Sequence, residues 1–396
     1  MRELAIWLCV YLGYMFCSIS WVATGAMLPL IQAELNISTA QAALLTSIMP
    51  GAMIFGAPLA GLLLNRFGLK KGYAAGLLLT VPGLFMGLVD NYSLMLLLRF
   101  CQGLGCASAL CALSPLTQSL FKGKIKDFCL SINISANTLG NVLALLLAGL
   151  IAELVSSWKI SLSIYPAFNV FLLLLFLFLY KDSSKTSSQN INNKKDFKEA
   201  FKSRVTWGMI VFYAGLVVFL HSSFTYMPAY YKLHSNLSDD SLSIHLAPAL
   251  VSVAMLFAPY FGYYLKRRGV YFKYIFIISP LIVYLGFSLM IFSKIDLLII
   301  CAALFAGFAY DLTAAFLYPL PAEIKNANPY KTAYTMSIFW SLIYLFSFIS
   351  NQIIAFSIDI TGGFSFAFIY IFSLAFICIP LSLLILPKRE FFKASL

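Results

Sequence analysis

The sequence predicts an all-α membrane protein with twelve transmembrane helices in two pseudo-symmetric six-helix bundles. Three observations carry that prediction. Of 396 residues, 61% are hydrophobic and only 11% are charged. A soluble domain carries about 25% charged residues, so most of this surface faces lipid. Apolar runs near the ~20 residues needed to cross a bilayer recur along the whole chain. Finally, two segments in the two halves of the chain match in register.

The first span, 4–30, follows Met1-Arg2-Glu3 and is too long for a signal-peptide core, so it is read as a retained helix. It contributes Tyr14, Ser18 and Thr24. The second and third are expected at 39–64 and 72–89, and the fourth at 93–120, with Arg99 about two turns in. The fifth, 128–153, carries Asn133, Asn137 and Asn141 at i, i+4 and i+8, on one helix face. That stripe must meet another helix or water, because lipid leaves amides unpaired. The sixth is 160–180.

Residues 181–204 form the long polar segment, rich in Ser, Asn and Lys. No packed core forms from such a composition, so it reads as a linker between halves 1–180 and 205–396. Its last part, Lys194 to Arg204, fits an amphipathic helix on the membrane surface. The seventh span, 205–230, carries His221, Ser222, Ser223, Thr225 and Tyr226 ahead of Pro228, which suggests a kink near the outer end. The eighth and ninth are 243–265 and 271–292. The tenth, 296–320, holds Asp311 near its middle, flanked by Tyr310 and Thr313. The eleventh, 332–357, shows Tyr334, Ser337, Ser341 and Tyr344 at helical spacing, with Trp340 nearby. The twelfth is 364–387.

The net charge of +12 is not a nucleic-acid signature, because apolar spans separate the basic clusters. Twenty-three of the 27 Lys and Arg residues fall on one side: the N-terminus, 65–71, 121–127, 181–204, 266–273, 321–331 and the C-terminus. The other side has Lys159, Lys232 and Lys294, and Arg99 lies within a span. Seven acidic residues lie on each side, with Asp311 inside. The basic-residue rule therefore places both termini in the cytoplasm, and an inner (plasma) membrane of a bacterium is expected. The eight Cys residues form no CxxC pair or Cys/His ligand set, so no disulfide framework, metal or cofactor is expected.

The repeat pairs Ala57-Pro58-Leu59-Ala60-Gly61-Leu62-Leu63-Leu64-Asn65-Arg66-Phe67-Gly68 with Ala258-Pro259-Tyr260-Phe261-Gly262-Tyr263-Tyr264-Leu265-Lys266-Arg267-Arg268-Gly269. A weaker match sets Gly103 and Pro115 against Gly307 and Pro319. Six helices repeated in one orientation imply two bundles related by an axis along the membrane normal. The stretch Gly61 to Lys71, with Asn65, Arg66 and Gly68, resembles the loop signature of the major facilitator superfamily. Arg99-Phe100-Cys101-Gln102-Gly103-Leu104-Gly105 is similar to that family's fourth-helix signature, and Ser157-Trp158-Lys159 to the Trp-Arg pair that often follows the fifth helix. The resemblance implies a transporter that rocks two halves around a midplane site, and it marks Gly262, Arg267 and Gly269 as the second conformational loop.

Two departures qualify the resemblance. Asn65 stands where relatives carry an acid that latches the loop to the partner bundle, so that latch is expected to be weaker. Residues 136–145 lack the Pro and the closing glycines of the family's drug antiporters, with Asn141 at the Pro position.

Ionisable groups in lipid cost several kcal/mol, so Arg99 and Asp311 are the leading functional candidates. Arg99 suits an anionic substrate through its fork geometry. The resemblance adds an influence on proton movement, and a structural arginine bonded to neighbouring carbonyls is a third role. Asp311 suits proton coupling, a cationic substrate group, pairing with Arg99, or a polar contact near the cytoplasmic mouth. Gln102, Asn137, Asn141, His221, Tyr226, Tyr310, Tyr334, Trp340 and Tyr344 complete the candidate substrate and coupling set, with packing as the alternative role for each.

No Walker loop is present, so ATP drive is not expected, and neither HExxH nor GxSxG occurs. The expectation is a monomeric secondary transporter in a lipid bilayer, taking up a small, anionic metabolite with protons. Proton-driven efflux of drugs or metabolites is the alternative. A membrane enzyme or sensor is disfavoured, because no cluster of acids or histidines and no attached soluble domain is seen.

Overall fold

The computed structural model describes residues 2–37, 39–180, 193–227, 230–231, 242–324 and 327–387. Helices dominate and no strand occurs among the described residues. The helices are α1 (Arg2–Ala26), α2 (Leu28–Leu35), α3 (Thr39–Leu78), α4 (Tyr92–Leu120), α5 (Gly123–Ile132), α6 (Ser135–Leu154), α7 (Trp158–Leu179), α8 (Asn193–Lys202), α9 (Arg204–Thr225), α10 (Leu242–Arg267), α11 (Phe272–Phe292), α12 (Asp296–Leu317), α13 (Leu320–Glu323), α14 (Pro329–Thr361) and α15 (Ser365–Ile385).

Among the described residues, eleven stretches are long and apolar enough to cross a membrane. One, Leu44–Leu88, runs for 45 residues, about twice what a bilayer needs. Gly68 breaks it at φ +81°, so it crosses twice and the crossings number twelve. The chain is an integral membrane protein.

Several expected spans are interrupted for local reasons. The first ends at Ala26 rather than residue 30, and α2 restarts after Met27 with a proline in its first turn. Proline fits there because its missing N–H has no helical acceptor to lose. The third span is α-helical only to Leu78 and continues as a 3₁₀ helix, Val81–Leu88. Pro82 opens that tighter stretch, and Gly83 lies so close to Gln102 and Pro166 that a Cβ would stand 2.6 Å from the Gln102 amide. The fifth span tightens at Asn133–Ile134, where Ala136 and Asn137 donate to carbonyls three residues back. Pro319 ends the tenth and starts the short α13. The expected kink at Pro228 lies outside the described residues, as does most of the linker. The amphipathic helix expected at its end is α8.

The chain divides into two compact units. Unit 1 is Met1–Lys202 with Asn326–Tyr344, and unit 2 is Ser203–Lys325 with Leu345–Leu396. The segment Asn326–Tyr344 thus groups with the first unit, although it follows the second in the sequence.

Both units close in the same way. The last carbonyls of a helix have no helical donor, and Arg or Lys supplies one. In unit 1 the Arg2 Nε donates to the Leu179 carbonyl at 2.6 Å, joining the start of α1 to the end of α7. In unit 2 Arg204 donates to the Leu384 and Ile385 carbonyls at 3.2 and 3.1 Å, joining the start of α9 to the end of α15. Lys273 adds bonds to Leu383 and Leu386.

The repeat is also a repeat of backbone. Gly68 and Gly269 share a left-handed φ, +81° and +78°, at matching places after α3's first segment and after α10. Only glycine takes that conformation without strain. Gly103 and Gly307 are the sites of close helix approach. A Cβ on Gly103 would meet the Met49 carbonyl at 2.5 Å, and one on Gly307 would meet the Val251 backbone at 2.8 Å.

Candidate functional site

Unit 1 buries a cation. Arg99 is 1% exposed, inside a helix that must cross lipid. Its Nε donates to the Leu45 carbonyl at 3.3 Å, Nη1 to the Ser20 carbonyl at 2.8 Å and to Gln102 Oε1 at 3.2 Å, and Nη2 to the Trp21 carbonyl at 3.5 Å. Gln102 in turn donates to Ser20 Oγ at 2.6 Å. Four hydrogen bonds therefore use four of the five guanidinium donors, all on neutral acceptors. No carboxylate lies within ion-pair distance of Arg99 among the described residues. The arrangement fixes α1 and α3 against α4.

The asparagine stripe meets α1 in order. Trp7 Nε1 donates to Asn133 Oδ1 at 2.9 Å, and Ser18 Oγ to Asn137 Oδ1 at 2.9 Å. Tyr14 reaches the same Oδ1 at 3.4 Å, and Tyr11 pairs with Ser135 at 2.7 Å. The face is satisfied at its inner end and thins outward. The Asn141 Oδ1 is buried and has no hydrogen-bond partner among the described residues.

Unit 2 buries an anion. Asp311 is 2% exposed. Tyr310 donates to the Tyr213 hydroxyl at 2.7 Å, and the Tyr318 ring packs on Tyr213 with centroids 6.1 Å apart. The Asp311 charge acts on all three of these hydroxyl-bearing rings. Thr313 Oγ1 bonds back to the Tyr310 carbonyl at 2.7 Å. The carboxyl thus lies among hydroxyl-bearing rings inside a membrane-crossing helix.

A second polar cluster in unit 2 joins α9 to the outer half of α14. The Ser347 hydroxyl bonds to His221 Nδ1, and the Asn351 amide nitrogen lies 3.4 Å from that same atom. Tyr226 donates to the Asn351 carbonyl at 2.9 Å. Ser347 and Asn351 were not singled out from the sequence. The signal for them was present: Asn351 stands one helical step beyond Ser347, and both extend the stripe of Tyr334, Ser337, Ser341 and Tyr344 along α14. On that helix Tyr344 stacks near Trp340, with centroids 5.7 Å apart.

The conformational loops differ between units. Asn65 is 1% exposed, and its Nδ2 donates to the Gly61 carbonyl at 2.8 Å and to the Tyr330 carbonyl at 3.4 Å. Gly61 lies so close to α14 that a Cβ would meet Ser337 Oγ at 2.6 Å. Arg66 is exposed and stacks over Phe67 at 5.6 Å. At the position of Asn65 the second loop has Lys266, which forms an ion pair with Glu323. Its neighbours Gly262 and Arg267 lie at the end of α10, where a Cβ on Gly262 would meet Ala315.

The inner end of α14 is held within unit 1 by further contacts. Thr332 donates to Gln118 Oε1 at 2.8 Å, and Gln118 to the Ala327 carbonyl at 3.4 Å. Lys331 pairs with Glu199 of α8 at 2.9 Å, and Phe197 packs edge-on to Tyr334. The Lys331 ammonium pulls the Glu199 carboxyl below its ordinary range. Asp196 is pushed the other way, first by burial and then by Glu199.

No group of three or more potential metal ligands occurs among the described residues. The family model described as Major Facilitator Superfamily matches residues 10–351. An uncharacterized protein of Campylobacter jejuni is 39% identical over 314 residues, which is 78% of this chain and 97% of that protein. Among solved structures, the proton:xylose symporter XylE bound to 6-bromo-6-deoxy-D-glucose superposes with a TM-score of 0.75 at 16% identity, over 97% of this chain and 96% of XylE. The fucose:proton symporter FucP of E. coli superposes at 0.67 with 18% identity, over 95% and 98%.

Proposed function

Because the chain belongs to the major facilitator superfamily, we propose that it is a secondary active transporter that takes up a small polar solute with protons, Asp311 being the coupling carboxylate. The observation that carries this reading is the nest of Tyr213, Tyr310 and Tyr318 around a carboxylate that is 2% exposed. Neutral, a buried carboxyl avoids the cost of a desolvated charge. Charged, it loses solvation that the hydroxyls replace in part. A group balanced in this way takes up and gives back a proton as its access to water changes. The symport named for XylE and FucP runs in the same sense.

Arg99 serves as an anchor in this reading. With four donors on neutral acceptors, it offers little of its fork to a bound anion, and the anionic preference loses its carrier. The basic-residue asymmetry supports cytoplasmic termini and an inner-membrane location.

The test is a pair of assays on Asp311→Asn in proteoliposomes, with radiolabelled ribose and ribitol and their acid ribonate as probes. Accumulation driven by an imposed pH gradient is expected to fall to background, while exchange without a gradient persists. Infrared difference spectra on a pH step should show a carboxyl band that the variant lacks. Full gradient-driven accumulation by Asp311→Asn would sink the assignment. Accumulation in inside-out vesicles under the opposite gradient would favour efflux instead.

A further inference from the structure

We propose that the α9–α14 face formed by His221, Tyr226, Ser347 and Asn351 is a recognition site for a neutral, hydroxyl-bearing solute. This rests on the transporter reading above and narrows its substrate class.

The first argument is polarity that the protein leaves unfinished. In a bilayer every polar group must find a partner, at a cost of several kcal/mol where it does not. At this face the Asn351 Oδ1 is buried with no hydrogen-bond partner among the described residues. The same holds for Ser222 Oγ, next to His221, on a residue that is 1% exposed. His221 Nδ1 receives the Ser347 hydroxyl and faces the Asn351 amide nitrogen. With both donors directed at Nδ1, the ring proton resides on Nε2, which makes no bond to a described residue. The cluster therefore presents unmatched acceptors and an unmatched donor side by side. A hydroxyl, which both donates and accepts, satisfies each in turn.

The second argument is charge. Every group in the cluster is neutral in this arrangement. The charge acting on the Tyr226 hydroxyl is negative, from Asp359, two turns further along α14. That negative charge disfavours an anion here.

The third argument is the repeat. The α9–α14 face joins the first and fifth spans of unit 2. The first and fifth spans of unit 1 carry the Ser18–Asn137 contact and the unpartnered Asn141 Oδ1. Each unit thus places asparagine on its fifth span, bonded to a polar group of its first span, with an amide oxygen left over.

The experiment is equilibrium binding to the purified full chain in nanodiscs, read by thermal shift and by tryptophan fluorescence. The probes are ribose and ribitol (neutral), ribonate (anionic) and glucosamine (cationic). Ribose or ribitol is expected to stabilise the wild type, and ribonate and glucosamine are not. Asn351→Leu should weaken the neutral probe at least tenfold. Ser347→Ala, a milder change that keeps the helix packing, should weaken it several-fold with an unchanged unliganded melting temperature. Tighter binding of ribonate or glucosamine than of either neutral probe overturns the proposal, as does no binding of ribose or ribitol. So does unchanged affinity in both variants. Gradient-driven accumulation of ribonate with no neutral binding would leave the transporter reading intact while removing this one. Neutral binding that depends on Asn351, in a protein showing no proton-driven flux, would do the reverse.

Discussion

Arg99 in α4 and Asp311 in α12 stand four residues to either side of the matching glycines Gly103 and Gly307. Their counterparts in the other unit, Ala303 and Ala107, are fully buried alanines. Each copy of the shared helix thus carries one charge where the other carries alanine, about 12 Å apart in height along it. The two charges are held differently. Arg99 is fixed by carbonyls of Ser20, Trp21 and Leu45, which cannot change charge or move without moving α1 and α3. The Asp311 charge acts instead on the hydroxyls of Tyr213, Tyr310 and Tyr318, side-chain groups that can reorient without moving a helix. The cation is held on main-chain carbonyls as a rivet between helices, whereas in the coupling role proposed above the carboxyl takes both of its charge states.

The sharpest way to break this contrast is to remove the rivet. Arg99→Leu removes the donors that tie the Ser20, Trp21 and Leu45 carbonyls and Gln102 to α4, at about 1–3 kcal/mol each. We expect loss of monodisperse protein in detergent. Asp311→Leu should instead be recovered in good yield, because its tyrosines can pair with one another. Equal yields of the two variants would end the distinction. Next in size is Arg99→Lys, which keeps the charge but lacks the fork. A single ammonium cannot serve acceptors on two helices, and a loss of about 2–3 kcal/mol is expected by thermal unfolding.

These two residues were legible in the sequence because charges are rare in spans. Their partners were not. The acceptors of Arg99 are main-chain carbonyls, which every residue has, so no side-chain pattern announces them. The Asp311 nest draws on Tyr213, 98 positions upstream in another helix. The twelve crossings were legible because bilayer thickness imposes their length, and the loop motif because two glycines need a positive φ. The breaks at Met27 and Thr80 stand beside Pro29 and Pro82, but prolines also sit inside unbroken spans here, and the break at Asn133 has no proline beside it. Asn351 was visible as a polar residue in an apolar span, but its pairing with a histidine 130 positions away was not.

A smaller effect compares the shared helix crossing itself. Gly103→Ala and Gly307→Ala each push a methyl onto backbone of the preceding span. Overpacking costs typically about 1–3 kcal/mol. Similar losses in both would confirm that the crossing, unlike the charges, was kept in both copies. A loss in one alone would show that the copies have diverged in packing too.

The smallest expected effect lies outside the membrane, at the Glu199–Lys331 pair, which has no equivalent ion pair described in unit 2. Both side chains are partly exposed, so Glu199→Gln should cost below about 1 kcal/mol. The folded carboxyl titrates below its ordinary value, so its contribution is present above that ordinary value. It is lost as the pH falls through the lowered one. Melting curves of wild type and Glu199→Gln should therefore converge on acidification. A gap that widens there would refute the pairing.

The arginine caps at Leu179 and at Leu384–Ile385 have a further consequence. They bring the entry and exit of each half to the same membrane face. A module with an even number of crossings and adjoining ends can be copied in tandem without inverting the second copy. The copy then inherits the same basic inner loops and needs only a short tether to its parent. Duplication of such a unit is a single genetic event that yields an insertable protein at once.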